Sequence, residues 1–299
     1  IRKYRDEIKF AEQASPAGAG RQTGAVWEVA RTTFGVVDET LARRQSLAIV
    51  SAQDLKTRRE RVIARGQLYQ VAVVVALALN ETERQEAIQL AAQIAQVQGV
   101  VCVVPEAIFG EARWQEWADN KAHARWYKEN SDPQNAKYHE SAAANEMGDW
   151  AKELRSQAMY AFDGSEQSNR VVGLPGYSAF IKEAVARRFP YRPERLTETG
   201  TLYNDSFGVP GPTAGLTGGR GSGAYGVVVS TLERQGLWPH AAGFDPTIYD
   251  RQAETPLGAM TRKVREMFGQ NSVSLGQVWE TLQAPPYGLL PSVIGGVLM

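Results

Sequence analysis

Leu68-Tyr69-Gln70-Val71-Ala72-Val73-Val74-Val75-Ala76-Leu77, followed after a break at Gly99 by Val100-Val101-Cys102-Val103-Val104, decides the fold. Both runs lack charge and are rich in β-branched side chains, the composition of strands covered on both faces. Between them Asn80 is placed to cap a helix, with Glu81 and Glu83 in its first turn and Ile88, Ala91, Ala92 and Ala95 recurring at helical spacing. Strand, helix and strand between Gly66 and Pro105 make a βαβ unit, whose crossover sets the two strands parallel.

Downstream, Glu111 to Phe162 reads as two helices broken around Asn130-Ser131-Asp132-Pro133. In the second, Ala143, Met147, Trp150, Leu154 and Ala158 step by three or four and form one apolar face. Trp114, Trp117, Trp126 and Tyr127 in the first read as packed aromatics rather than a base-stacking platform. Residues 1–150 hold 8 Gly and 3 Pro against 20 and 11 in residues 151–299, so the second half must be broken by more turns. A boundary is placed in Gly164 to Asn169, giving an α/β domain with long helices over 1–165 and a mainly helical domain with Gly/Pro-rich loops over 166–299. Short helices are expected around Tyr177–Val185 and Leu257–Phe268. Ser274 to Gln283 is the best marked, because Ser274 and Gln277 fit a capping box and Pro285-Pro286 must end it.

The chain has 299 residues, 33 basic against 33 acidic groups and 43% apolar residues, which excludes a disordered polyampholyte. No apolar stretch reaches the ~20 residues that a bilayer requires, so no membrane partner is expected. A single cysteine, Cys102, excludes an intramolecular disulfide framework and points to a reducing cytoplasm. The chain starts at Ile1 without a signal-like leader and ends inside an apolar run, as a piece of a longer protein would.

Chemistry-bearing motifs are sparse. A phosphate-binding loop needs Gly-x-x-x-x-Gly-Lys-Ser/Thr, and no such string occurs. The strands end in Glu81 and Glu106 where a P-loop enzyme would place an aspartate for magnesium, and Glu106 is read as a solvated strand end, with a residue facing a site as the alternative. Gly221-Ser222-Gly223-Ala224-Tyr225-Gly226 matches the dinucleotide fingerprint, but the Gly/Pro-rich residues before it cannot be the buried strand that the fingerprint requires. What survives is an anion site for a DNA phosphate formed by Arg220, Gly221, Ser222 and Gly223 at a helix N-terminus, set against the reading of the same residues as a flexible turn. A second basic group, Arg58, Arg59 and Arg61 with Lys56 and Arg65, is a further candidate for phosphate contacts and otherwise a solvated helix face. His123, His139 and His240 have no hydrolase or metalloenzyme motif around them, and no catalytic, cofactor or metal residue is assigned.

The string Val273-Ser-Leu-Gly-Gln-Val-Trp-Glu-Thr-Leu-Gln-Ala-Pro-Pro-Tyr-Gly-Leu289, led by Lys263-Val-Arg-Glu-Met-Phe-Gly269, resembles the segment beyond the ATPase core of the very large P-loop ATPases of BREX and Pgl-type phage-exclusion systems. Gly66-Gln-Leu-Tyr69 entering a buried strand, a long polar helical stretch and the helix end at Phe189-Pro190 are similar in order to that region. The likeness spans about residues 60–299, with Pro-Pro-Tyr-Gly-Leu its sharpest part; residues 1–59 fall outside it. It implies an interaction and coupling segment of a multidomain phage-defence protein acting on or near DNA with partner subunits, ATP and Mg belonging to the parent. The alternatives are a free-standing nucleotide- or dinucleotide-binding enzyme using the Gly221–Gly226 loop, and a non-enzymatic scaffold.

Overall fold

The computed structural model describes residues 1–6, 25–35, 45–57, 70–164, 169–191, 256–269 and 272–288. The chain divides into two compact units, residues 1–184 and 185–299. The fold is mixed α/β: a five-stranded sheet with a βαβ core, then a part whose described elements are all helices.

The first unit is built on strands β1 (Gln45–Ser51), β2 (Val71–Leu77), β3 (Val100–Pro105), β4 (Ala158–Phe162) and β5 (Asn169–Val172), which lie side by side in chain order. β1, β2 and β3 are parallel; β4 runs antiparallel to β3, and β5 to β4. Every residue of β2 and β3 is buried, as their uncharged sequences require. Alternation divides them between two faces. Ala72, Val74, Ala76, Val100, Cys102 and Val104 pack with Ala52 and Leu55 of α3 (Ala52–Thr57) and with Ala87, Ala91 and Ile94 of α4 (Glu81–Ile94). Val71, Val73, Val75, Val101 and Val103 point the other way and are equally buried. Fully burying one such valine is worth roughly 1.5–3 kcal/mol over leaving it exposed.

The βαβ unit forms as its sequence dictates. The Asn80 side chain accepts from the Glu83 N–H at 2.9 Å, and Glu83 Oε2 accepts from the Leu79 N–H at 2.9 Å, so two donors at the start of α4 are satisfied reciprocally. Gly99, at φ +84°, ends the turn into β3, and its carbonyl accepts from the Ala72 N–H.

Two long helices connect β3 to β4: α5 (Glu111–Glu129) and α6 (Pro133–Ser156), packed as a hairpin. Asp132 caps α6 by accepting from the Asn135 N–H at 3.2 Å, and Pro133 occupies its first turn, where a missing N–H costs nothing. Trp114 and Trp117 are buried and in ring contact at 5.0 Å, so these aromatics pack as expected. Helix α1 (Arg2–Asp6) lies against α5, and α2 (Ala25–Gly35) against β1 and α6.

Strand β4 departs from its sequence reading. The helical spacing that carries Met147, Trp150 and Leu154 runs on to Ala158, yet α6 stops at Ser156 and Gln157 turns extended at ψ 169°. Ala158-Met-Tyr-Ala-Phe162 is a strand because β3 offers an unpaired edge: Pro105 pairs with Met159 and Cys102 with Phe162. A ladder with a segment more than fifty residues away overrides local periodicity. Gly164, at φ +88°, makes the turn that follows, where a Cβ would lie 2.8 Å from the Ala95 carbonyl oxygen.

Helix α7 (Gly173–Arg188) follows β5. In the second unit, α8 (Pro256–Phe268) packs on α9 (Leu275–Gln283) through Met260, Val278 and Leu282. The capping box is present: Gln277 N–H donates to Ser274 Oγ at 3.2 Å, and Ser274 N–H to Gln277 Oε1 at 2.9 Å. α9 ends at Ala284, before the cis Pro285-Pro286 bond. Among the described residues no helix is long and apolar enough to cross a membrane.

Candidate functional site

In a parallel α/β sheet, side chains that meet a ligand gather beyond the carboxyl ends of the strands. Here that edge carries Glu106, one residue past β3, and the first turn of α4, one short loop past β2. The edge is polar, and its charges are committed to one another.

Glu106 is fixed first through its backbone, whose N–H donates to the Ala158 carbonyl at 3.0 Å. Val104, Tyr160 and Arg170 stand opposite each other on β3, β4 and β5, and Glu106 lies two residues beyond Val104, hence on the same face. Arg170 therefore reaches the carboxylate with a two-pronged fork, Nε to Oε1 at 2.8 Å and Nη2 to Oε2 at 3.0 Å. That fork, helped by the Tyr160 hydroxyl and working against partial burial, holds the Glu106 carboxyl below its ordinary range. Arg84 of α4 closes the other side: Nη1 donates to the Glu106 carbonyl at 2.9 Å and Nη2 to Glu81 Oε1 at 2.7 Å. Glu81 is held low by the Gln85 amide and then by Arg84.

The reading of Glu106 as a solvated strand end is corrected by this geometry. Its side chain is only 20% exposed, because β5, a polar strand without an apolar signal, brings Arg170 from 64 residues away. Arg84 and Arg170 escaped the sequence reading. Arg84 had a local signal in its i,i+3 spacing from Glu81, and Arg170 had none.

Other reactive groups are silenced by burial. The Cys102 thiol sits in the sheet core and is pushed up to about 12, so it stays protonated at neutral pH. Among the described residues no group of three His, Cys, Asp or Glu side chains is arranged to hold a metal ion. The residues proposed from sequence as anion or nucleic-acid contacts, Arg58, Arg59, Arg61, Arg220, Gly221, Ser222 and Gly223, lie outside the described residues, as does His240. Of the basic stretch, Lys56 is described: it ends α3 and lies 3.7 Å from Glu86 of α4, both well exposed.

A second constellation occupies the residues of the phage-exclusion resemblance. After α9, Tyr287 and Gly288 donate their N–H groups to the Ala284 carbonyl at 3.0 and 3.1 Å, closing a tight turn. Gly288 takes φ +61° there. The Pro286 carbonyl accepts from the Tyr191 N–H at 3.2 Å, and the Tyr191 and Tyr287 rings stack at 5.9 Å. Burial, then Glu266 nearby, raises the Tyr287 phenol above its ordinary value. Close by in sequence, the Arg188 guanidinium lies over the Phe189 ring at 5.7 Å, and burial lowers its basicity. The Pro-Pro-Tyr-Gly turn thus fastens α9 to the segment that leaves α7.

Comparison of the chain with protein-family models, with curated proteins and with solved structures yields no match.

Proposed function

We propose that this chain is an interaction and coupling segment of a larger ATP-dependent phage-defence protein that works on or near DNA, with ATP and Mg held by the parent. The observation that carries this reading is the Pro-Pro-Tyr-Gly turn: the residues of the resemblance are the ones that tie α9 to Tyr191. A motif whose polar atoms and rings serve a joint between helices suits the transmission of position rather than bond making. The strand-end edge agrees with it, since Glu106 past β3, Arg170 of β5, and Arg84 and Glu81 of α4 are bound into one network across three elements.

Isothermal titration of the chain with Mg-ATP, with NAD and with duplex DNA tests the reading. DNA affinity that falls steeply from 50 to 200 mM salt and weakens in Arg220→Ala supports it. Tight binding and turnover of ATP by the chain alone overturns it. NAD binding that is lost in Gly223→Val replaces it with the dinucleotide enzyme. Silence towards all three ligands moves the role to protein partners alone.

A further inference from the structure

The loop end of the α5–α6 hairpin carries two of the chain's three histidines in direct contact. The His139 ring of α6 stacks on His123 of α5 at 4.8 Å and 21°, and on Tyr127 of α5 at 5.6 Å and 9°. Tyr138 meets His139 edge-on at 5.2 Å.

The hydrogen bonds fix which nitrogen of each ring carries the proton. Asn120 Nδ2 donates to the Glu116 carbonyl at 3.1 Å, which turns Asn120 Oδ1 towards His139 Nδ1 at 2.8 Å. Nδ1 of His139 is therefore an N–H. His123 Nδ1 lies 2.8 Å from the Asp119 carbonyl, an oxygen that only accepts, so it too is an N–H. On both neutral rings the lone pair sits on Nε2, and acid adds its proton there without breaking either bond. The near-parallel rings also make a poor chelate, because a metal ion cannot lie in both ring planes at once.

We propose that the stack is a proton-operated clasp: with both imidazoles neutral it ties the loop end of α5 to α6, and with both charged it lets that end part while the opposite end stays closed. The neutral rings attract by dispersion, and two imidazolium charges 4.8 Å apart repel. The ionisable neighbours are Asp119, Lys121 and Tyr127 on α5, and Lys137, Tyr138 and Glu140 on α6. Helix α1, packed on α5, adds Lys3 and Tyr4; Tyr4 bonds Glu129 and lies under Arg125. Burial, and after it the His123 imidazole, holds the His139 imidazole below its ordinary value. A histidine lowered in the fold contributes stability that is complete above the unfolded value of 6.5 and is lost as pH falls through the folded one.

The test is hydrogen exchange of the full chain, resolved by segment and corrected for intrinsic rates, between pH 7.5 and 5.0. Residues 120–128 and 136–143 are expected to exchange severalfold faster at pH 5.0 than at pH 7.5, while 111–117 and 147–155 hold steady. His139→Phe keeps a stacking ring without the charge and is expected to abolish the acceleration; His123→Phe provides the same control if that variant folds poorly. Proton NMR of the imidazole C2–H signals, with His240→Gln and His123→Phe to assign them, is expected to show His139 protonating below the ordinary histidine value. Uniform protection across the pH range, acceleration that persists in both Phe variants, or a His139 ring that protonates at or above the ordinary histidine value overturns the proposal.

Discussion

The two ends of the α5–α6 hairpin are held by different chemistry. At the open end, beside the sheet, Arg113 forks onto Glu153 at 2.6 and 2.9 Å and lies 3.8 Å from Glu146. A guanidinium is charged at every pH a protein meets, so this clamp does not switch. At the loop end the contact is made by imidazole rings, the side chain whose charge acid can switch. Between them Ala143, Met147 and Trp150 supply the apolar packing common to both. The same pair of helices is thus tied permanently at one end and conditionally at the other, and substitutions at each end should have effects of different size and different pH dependence.

The largest effect is expected where backbone and clamp meet. Gly173, at φ +62°, donates its N–H to the Gln157 carbonyl, and a Cβ there would lie 2.7 Å from the Arg155 carbonyl oxygen, a backbone atom that cannot move aside. Gly173→Ala is expected to cost about 1–3 kcal/mol from the left-handed conformation, and more from the clash, read as a shift of the urea midpoint. Arg113→Met comes next. It removes both prongs to Glu153 and leaves Glu146, Asp149 and Glu153 without that cation, so a loss of roughly 1.5–3 kcal/mol that grows at low salt is expected. Neither loss should depend on pH between 6 and 8; a loss that tracks histidine protonation would erase the distinction between the ends.

At the loop end the expected effects are smaller. Asp132 caps α6 from an exposed position, and its carboxyl is held below the ordinary range by the Asn135 side chain and backbone. A group lowered in this way stabilises above its unfolded value of 3.8 and loses that contribution as pH falls through the folded one. Asp132→Ala is therefore expected to lower the thermal midpoint by about a few degrees at pH 7 and by less near pH 2. Equal losses at both pH values would show that the cap bond does not act through the carboxylate.

Most of the fold was legible because its signals are local. The uncharged runs of β2 and β3, the Asn80 cap and the Ser274–Gln277 box each specify their element within a few residues, and each forms where the sequence puts it. What escaped is what depends on distant partners. Ala158–Phe162 carries a helical spacing and becomes a strand because β3 is there to pair with it. Asn169–Val172 is exposed at most of its positions, so no apolar alternation marks it, and it is a strand because β4 precedes it. Of the candidate site, Glu106 was visible as a residue and misread in role, since nothing within sixty residues announces the Arg170 that neutralises it. The His123–His139 contact was hidden in the same way: sixteen residues separate two side chains that only the turn at Asn130–Asp132 brings together. The basic and glycine-rich candidates around Arg58 and Arg220 lie outside the described residues.

The smallest effect separates the two ends most cleanly because its sign is reversed. Glu146 sits beside Arg113, but burial, and after it Glu116, raises its carboxyl above the ordinary value, with Asp149 and Glu153 adding in the same direction. A raised acid favours the fold when protonated, so its contribution is complete below the unfolded value of 4.5 and is lost as pH rises through the folded value. The histidine end runs the opposite way, losing its contribution as pH falls below 6.5. Glu146→Gln fixes the open end in its uncharged form while leaving the Arg113–Glu153 fork in place. It is expected to raise stability at pH 7 by a few tenths of a kcal/mol, roughly the worth of one partly exposed charge contact. It should also steepen the loss on acidification, because the compensating gain at the open end is gone while the loss at His139 remains. A variant less stable than the parent at pH 7 would mean that Glu146 is a net partner of Arg113 despite its 3.8 Å separation, and both ends would then respond to acid with the same sign.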